Sequence, residues 1–360
     1  MRSIKFLFAW TVSFIFILMT LNCGGGGNGG DNGNGTKIRG PKFNAGASFG
    51  DLLVYTLDTT NLLYSYTIIE SSFGLNGQSN SGNLILNNDG TYSPSSDPSS
   101  RIVLVKNKND ANTFLVGQGE VQGSPMYFAG VPKITTDYEA SEIAGKYNYI
   151  SFECPETLQN NECPSEYKAY YGTFEIFADG TWKSCSEGGD IDNCLPDDFL
   201  SGTWSDSGNG IISVEVSGLE IGSGMLVPSA GGGKIIVIDL KNRPPLNSGP
   251  GFLIGVKYTD LSGTDLSGVY KYVSTEGYYG TATIPDPNNS GDTYQIIDTD
   301  PQGGTTTITG NLTRNSPWNG WLEGIDSNNT TNYILLLPDD GVFLYFDPND
   351  NTWIGMGGTP

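Results

Sequence analysis

A chain of 360 residues with a net charge of −21 and no histidine is bounded as much by what it lacks as by what it holds. The missing histidine removes Ser-His-Asp and Cys-His catalysis and imidazole metal ligation, and a polyanion of this size repels phosphate backbones, which excludes nucleic acid as a partner. Fifty glycines, aromatics at 11% and hydrophobic residues at 37% fit short strands joined by tight turns, with enough apolar content for two or three cores.

Residues 1–22 carry Arg2 and Lys5, then a sixteen-residue apolar run from Phe6 to Leu21, then Asn22. The run is shorter than the roughly 20 residues a spanning helix needs, so it reads as the core of a signal peptide. Cys23 follows, and after it Gly24-Gly25-Gly26-Gly27. This arrangement resembles the bacterial lipoprotein precursors, with Thr20-Leu21-Asn22 standing where those carry Leu and two small residues. The resemblance implies removal of residues 1–22, acylation of Cys23 with palmitate-type chains, and an acyl anchor in the envelope, the outer membrane being the expected destination. It covers the first two dozen residues and implies nothing about fold. Residues 23–48 read as a Gly/Asn-rich tether, whose first dozen residues reach about 20 Å.

The remainder reads as all-β, in two to three tandem antiparallel barrels or sandwiches: unit one at 49–136, unit two at 137–259, unit three at 260–360. Gly82-Asn-Leu84-Ile-Leu86-Asn-Asn-Asp89-Gly90-Thr91-Tyr92 is echoed ninety positions later by Gly172-Thr-Phe174-Glu-Ile176-Phe-Ala-Asp179-Gly180-Thr181-Trp182. Alternating apolar residues before Asp-Gly predict a hairpin with a two-residue turn, positive in φ at both central positions. The second and third units open alike at an offset of 123: Ser141-Glu-Ile-Ala-Gly145-Lys-Tyr147-Asn-Tyr149 against Thr264-Asp-Leu-Ser-Gly268-Val-Tyr270-Lys-Tyr272. Phe114-Leu-Val-Gly117, Phe252-Leu-Ile-Gly255 and Trp353-Ile-Gly355 mark the expected unit ends. The Gly-x-Tyr and Gly-x-Trp openings are faintly similar to those of lipocalin-like barrels. A propeller is the rival architecture, but its blades would repeat near 45 residues.

Four cysteines fall in unit two, in two Cys-x8-Cys pairs. An exported chain meets an oxidising compartment, and although four cysteines allow three pairings, local bonds Cys154–Cys163 and Cys185–Cys194 are expected. Zinc would want closer spacing. Trp318-Asn319-Gly320-Trp321 predicts a tight turn with both indoles on one side, either a structural clasp or a stacking platform for a glycan or protein ligand. Asp286-Pro-Asn288-Asn-Ser290-Gly291 and Asp298-Thr-Asp300-Pro-Gln302-Gly303 approach a calcium loop, but Ile297 and Thr309 stand where its closing acid belongs. No metal or other cofactor is therefore expected. Neither a Gly-x-Ser-x-Gly elbow nor a P-loop is present, so no catalytic residue is assigned. The expectation is a lipid-anchored envelope protein acting by binding or structural presence. A carboxylate-based glycan hydrolase and a lipocalin-like carrier are the alternatives.

Overall fold

The structure, a computed structural model, describes residues 38–360 apart from 122–123, 160–162, 186–188, 229–233, 244–248 and 287–291. Cys23 and the expected signal peptide lie outside the described residues, as does most of the expected tether. Three closed barrels follow one another, each of eight antiparallel strands in sequence order. Barrel one runs through β1 (Lys42–Ala47), β2 (Asp51–Asp58), β3 (Leu63–Ser71), β4 (Ser79–Leu86), β5 (Tyr92–Pro94), β6 (Ile102–Lys106), β7 (Asn112–Val121) and β8 (Ser124–Pro132). Barrel two runs through β9 (Gly145–Glu153), β10 (Lys168–Ile176), β11 (Thr181–Cys185), β12 (Phe199–Gly208), β13 (Ile211–Val216), β14 (Leu219–Val227), β15 (Ile235–Leu240) and β16 (Gly251–Lys257). Barrel three runs through β17 (Gly268–Ser274), β18 (Tyr279–Ile284), β19 (Thr293–Thr299), β20 (Thr305–Arg314), β21 (Trp321–Asp326), β22 (Thr331–Leu337), β23 (Val342–Asp347) and β24 (Asp350–Gly358). First and last strands pair to close each barrel, as in Ala45↔Gly130, Phe152↔Phe252 and Val273↔Met356.

Closed barrels replace the sandwich and propeller alternatives; closure leaves no unpaired edge. β1 lies inside the segment read as tether, because Phe43, Ala45 and Ala47 fill the interior of barrel one despite their Gly/Asn-rich approach. The echo at offset 123 falls on β9 and β17, the first strand of barrels two and three. The echo at offset 90 does not mark barrel position: it falls on β4–β5 in one barrel and β10–β11 in the next. What it marks is a hairpin chemistry. Gly90 N–H donates to Asn87 O at 3.0 Å and Asn87 N–H to Thr91 O at 2.8 Å, with φ positive at Gly90 and not at Asp89. The loop therefore has three residues, a turn followed by one left-handed residue, which twists the strands as a two-residue turn would. Asp89 Oδ1 accepts from the Thr91 N–H at 2.9 Å and hydroxyl at 2.7 Å, and Asp179 repeats this with Thr181 at 3.0 and 2.6 Å. The same loop recurs at 107–111, 274–278, 300–304 and 326–330, with Asp110, Gly277, Gly303 and Asn329 as the left-handed residue.

Phe114-Leu-Val-Gly117 occupies the seventh strand of barrel one, whereas its two echoes occupy eighth strands. All of these strands are apolar on both faces, and the reason is where the barrels meet. Val103, Val105 and Val116 of barrel one, Val237, Phe252 and Ile254 of barrel two, and Trp321, Leu344 and Phe346 of barrel three are buried in one shared cluster outside the three interiors. Strands of every barrel pack against both others. A strand that faces its own interior on one side and a neighbouring barrel on the other is largely apolar on both sides, with a few buried polar exceptions such as Thr113 and Asp239.

Candidate functional site

The interiors differ. Tyr55, Tyr64 and Phe128 stack inside barrel one, and Tyr270, Tyr272 and Phe343 fill barrel three. Barrel two keeps a cavity of about 440 Å³. Its deep wall is built from Phe174, Ile176, Trp182, Trp204, Val214 and Ile238. Strand alternation puts these inward, and inward glycines make room for the rings. A Cβ at Gly202 would stand 2.7 Å from the Trp182 ring and one at Gly255 3.0 Å from Phe174. Both indole N–H groups turn away from the hollow. That of Trp182 donates to Thr203 O and Glu215 O at 3.2 Å, and that of Trp204 to Phe177 O at 2.8 Å. The deep wall is left with no polar group of theirs to offer.

Polarity gathers at the mouth. The inward row of β9 reads Tyr147, Tyr149, Ser151, Glu153, so the strand carries a carboxyl to the rim. Ser151 Oγ donates to Glu153 Oε1 at 2.8 Å. Burial pushes the Glu153 carboxyl above the ordinary carboxylate range, with the Ser151 bond opposing. Burial, and then the Glu153 charge, push the Tyr149 phenol up to about 12 and raise Tyr170 as well. Two disulfides frame this end: Cys154–Cys163 holds the residue after Glu153, and Cys185–Cys194 holds a residue of the lining. The pairing is the local one expected, and each bond ties a connection back to the strand it leaves. Cavity-lining Glu153 and Ser151 carry no motif in the sequence, whereas Trp182 ends the second hairpin echo and Trp204 belongs to a Gly-x-Trp cue. The signal for Glu153 was strand parity, since Ile150 and Phe152 occupy the opposite face of β9.

Trp318 and Trp321 do come together, with ring centroids 5.9 Å apart, but not as an exposed platform. Trp321 N–H donates to Trp318 O at 3.2 Å in a turn with positive φ at Gly320, inside the connection that joins the paired strands β20 and β21 rather than in a two-residue hairpin turn, and Trp321 is 0% exposed. Tyr171 of barrel two stacks on Trp318 at 5.9 Å and meets Trp321 edge-on at 5.7 Å. Trp321 is wholly buried and Trp318 half-buried between two barrels, so the pair packs as a clasp rather than standing as an exposed platform. The second calcium-like stretch is a strand end and hairpin loop. Asp298 accepts from the Tyr272 hydroxyl, and Asp300 Oδ1 accepts from Gln302 and Gly304 N–H at 2.8 Å. The first stretch lies outside the described residues beyond Asp286. Among the described residues no three Asp, Glu, Cys or His side chains gather as a metal ion would require.

A further polar feature sits between barrels one and two. Asp239 is 0% exposed, and apart from the nearby Ala47 backbone N–H its oxygens find no hydrogen-bond partner among the described residues. Burial first, then the nearby Asp51 carboxylate, push it well above the ordinary range, while Lys241 pulls back. Lys241 itself bridges Glu70 of barrel one at 2.6 Å and Glu220 of barrel two at 2.7 Å.

No family model matches the chain, and no curated protein matches it. Among solved structures, the DNA polymerase III subunit beta from Pseudomonas aeruginosa is 7% identical over 89% of this chain and 92% of that one, with a TM-score of 0.13. The DNA polymerase sliding clamp from Pseudomonas aeruginosa with ligand is 8% identical over 90% and 92%, with a TM-score of 0.11. Likeness at that level carries no argument about fold or function.

Proposed function

We propose that the chain is a lipid-anchored protein of the bacterial envelope whose middle barrel binds a small, largely apolar ligand. The observation that carries the binding role is the cavity of barrel two, about 440 Å³ and walled by apolar and aromatic side chains with a few polar groups at one end. That size and lining suit a small-molecule site. Eight strands in up-and-down order are also the architecture in which lipocalins hold single ligands. Barrels one and three serve as a rigid mount, since their aromatic-packed interiors and the shared core hold the middle barrel. Support for the anchor is Cys23 at the end of the apolar run, before the glycines. Among the described residues Glu153 is the one carboxylate in the cavity lining, and a glycan hydrolase needs a second acid facing it.

The binding role is tested by titrating an apolar fluorophore into the purified protein and into Val214→Trp, which adds bulk to the deep wall. Saturable binding that disappears in the variant, with the circular dichroism of the barrels retained, is the expected result. Undiminished binding in Val214→Trp would remove the cavity from the function. For the anchor, Cys23→Ala should abolish labelling with a palmitate analogue; labelling that survives the substitution would end the lipoprotein reading.

A further inference from the structure

We infer that the ligand of barrel two is a cationic amphiphile, an apolar chain ending in an amine, with the chain against Trp182, Trp204 and Phe174 and the ammonium paired with Glu153; the inference rests on the cavity reading above. The polarity of the hollow sets the orientation. Its deep end presents ring faces whose N–H groups are already bonded to backbone carbonyls, so a polar head placed there would lose its water and gain no partner. The rim is where a chain would first land: Tyr170 and Leu200 line the cavity and are 37% and 41% exposed, and Phe199 beside them is 39% exposed.

The sign of the head follows from what Glu153 lacks. Its recorded hydrogen bond comes from Ser151, a neutral donor, and it takes part in none of the ion pairs among the described residues. Lys168 is its cross-strand partner in register, yet no ion pair joins the two. Residues 160–162, 186–188 and 244–248 contain no Lys or Arg. Tyr149 and Tyr170 are the titratable groups on which the Glu153 charge acts, and ionising either would add negative charge. A carboxylate at an apolar rim without a cation is completed by an ammonium, through a charge-assisted hydrogen bond in a poorly solvated site. An anionic head would meet like charge there, on a chain already at −21.

Decylamine, decanol and decanoate share a chain and differ in the head, so their binding separates the possibilities. Titrations at mildly alkaline pH, well above the ordinary carboxylate range, should show decylamine binding at least about tenfold more tightly than decanol, and decanoate most weakly. Glu153→Gln should bring decylamine to the level of decanol and leave decanol unchanged. Decanoate binding tightest, above all if Lys168→Gln abolishes it, would overturn the cationic class while leaving the cavity reading intact. A preference for the amine that survives Glu153→Gln would overturn it too. If none of the three binds, the cavity reading itself fails.

Discussion

Asn148 of barrel two and Trp318 of barrel three hold each other in a two-way grip. The Trp318 indole N–H donates to Asn148 Oδ1 at 2.9 Å, and Asn148 Nδ2 donates to the carbonyl of the next residue, Asn319, at 2.9 Å. Asn148 is 0% exposed, whereas Trp318 is half-buried and Asn319 exposed, so the partners regain some water if the amide is lost. Asn148→Ala should therefore cost about 1–3 kcal/mol, the net worth of two hydrogen bonds. Trp321→Ala, which empties the centre of the shared cluster, should cost about 3–5 kcal/mol. Denaturant melts of both variants check the order, and a Trp321→Ala protein as stable as the parent would contradict the clasp.

Asp239 gives a pH dependence whose sign is fixed. Its folded carboxyl is held above the unfolded value by burial and by Asp51, so the native state binds more protons than the unfolded chain. Stability is then present at low pH and falls as pH rises from about 4 through the folded value. Asp239→Asn keeps the shape and removes the ionisation. It should raise stability at neutral pH, on the order of 1 kcal/mol or more, and gain little near the unfolded value. Melting temperatures of parent and variant across this range should converge at the acid end. A constant gap between the curves would mean that Asp239 is not the titrating group.

Much of the fold was legible because it depends on neighbours in sequence. The alternation in Gly145-Lys-Tyr147-Asn-Tyr149 and its echo at Gly268 fixes strand and inward row together, and the Cys-x8-Cys spacing keeps each disulfide within one connection. The features that escaped depend on where one barrel sits against another. Ile235-Ile-Val-Ile238 and Val342-Phe-Leu-Tyr-Phe346 advertise burial on both faces, but do not say which barrel supplies the second face. Trp318 and Trp321 belong to that class: their spacing predicts proximity, and only the docking of Tyr171 turns proximity into burial. The cavity is harder still, since a hollow is a deficit of volume summed over eight strands rather than a property of any one.

The recurring three-residue hairpin loop places one residue of each in the left-handed region, and its cost is set by φ rather than by crowding. Gly180 has φ of 87° and ordinary space around an added Cβ, whose nearest neighbour would be Trp204 O at 3.5 Å. Gly180→Val should therefore cost more than about 1 kcal/mol through backbone strain alone. At the equivalent place Asp110 already tolerates φ of 60°, and its pair with Lys106 is exposed. Asp110→Gly should change stability by less than about 0.5 kcal/mol. Equal losses at the two sites would refute a shared loop geometry.

The disulfides bear on the cavity mouth as well as on stability. The connection closed by Cys185–Cys194 is also docked by other means. Thr173 Oγ accepts from the Ile191 N–H at 2.6 Å, and Lys146 reaches Asp190 at 3.0 Å and Asp192 at 2.6 Å. Cys154–Cys163 instead fixes the residue next to Glu153, where among the described residues no ion pair helps and the Leu158 N–H donates to Asn242 Oδ1 at 3.0 Å. Replacing either pair by serine should lower stability by about 2 kcal/mol through freer unfolded chains. Their effects on bound ligand should differ. Loss of Cys154–Cys163 loosens the polar end of the mouth and should speed dissociation of a bound fluorophore several-fold, whereas loss of Cys185–Cys194 should change it little while Lys146 and Thr173 hold the loop. Stopped-flow dissociation on the two double-serine variants reads this directly, and the reverse order would show that the Lys146 and Thr173 contacts do not keep the mouth in place.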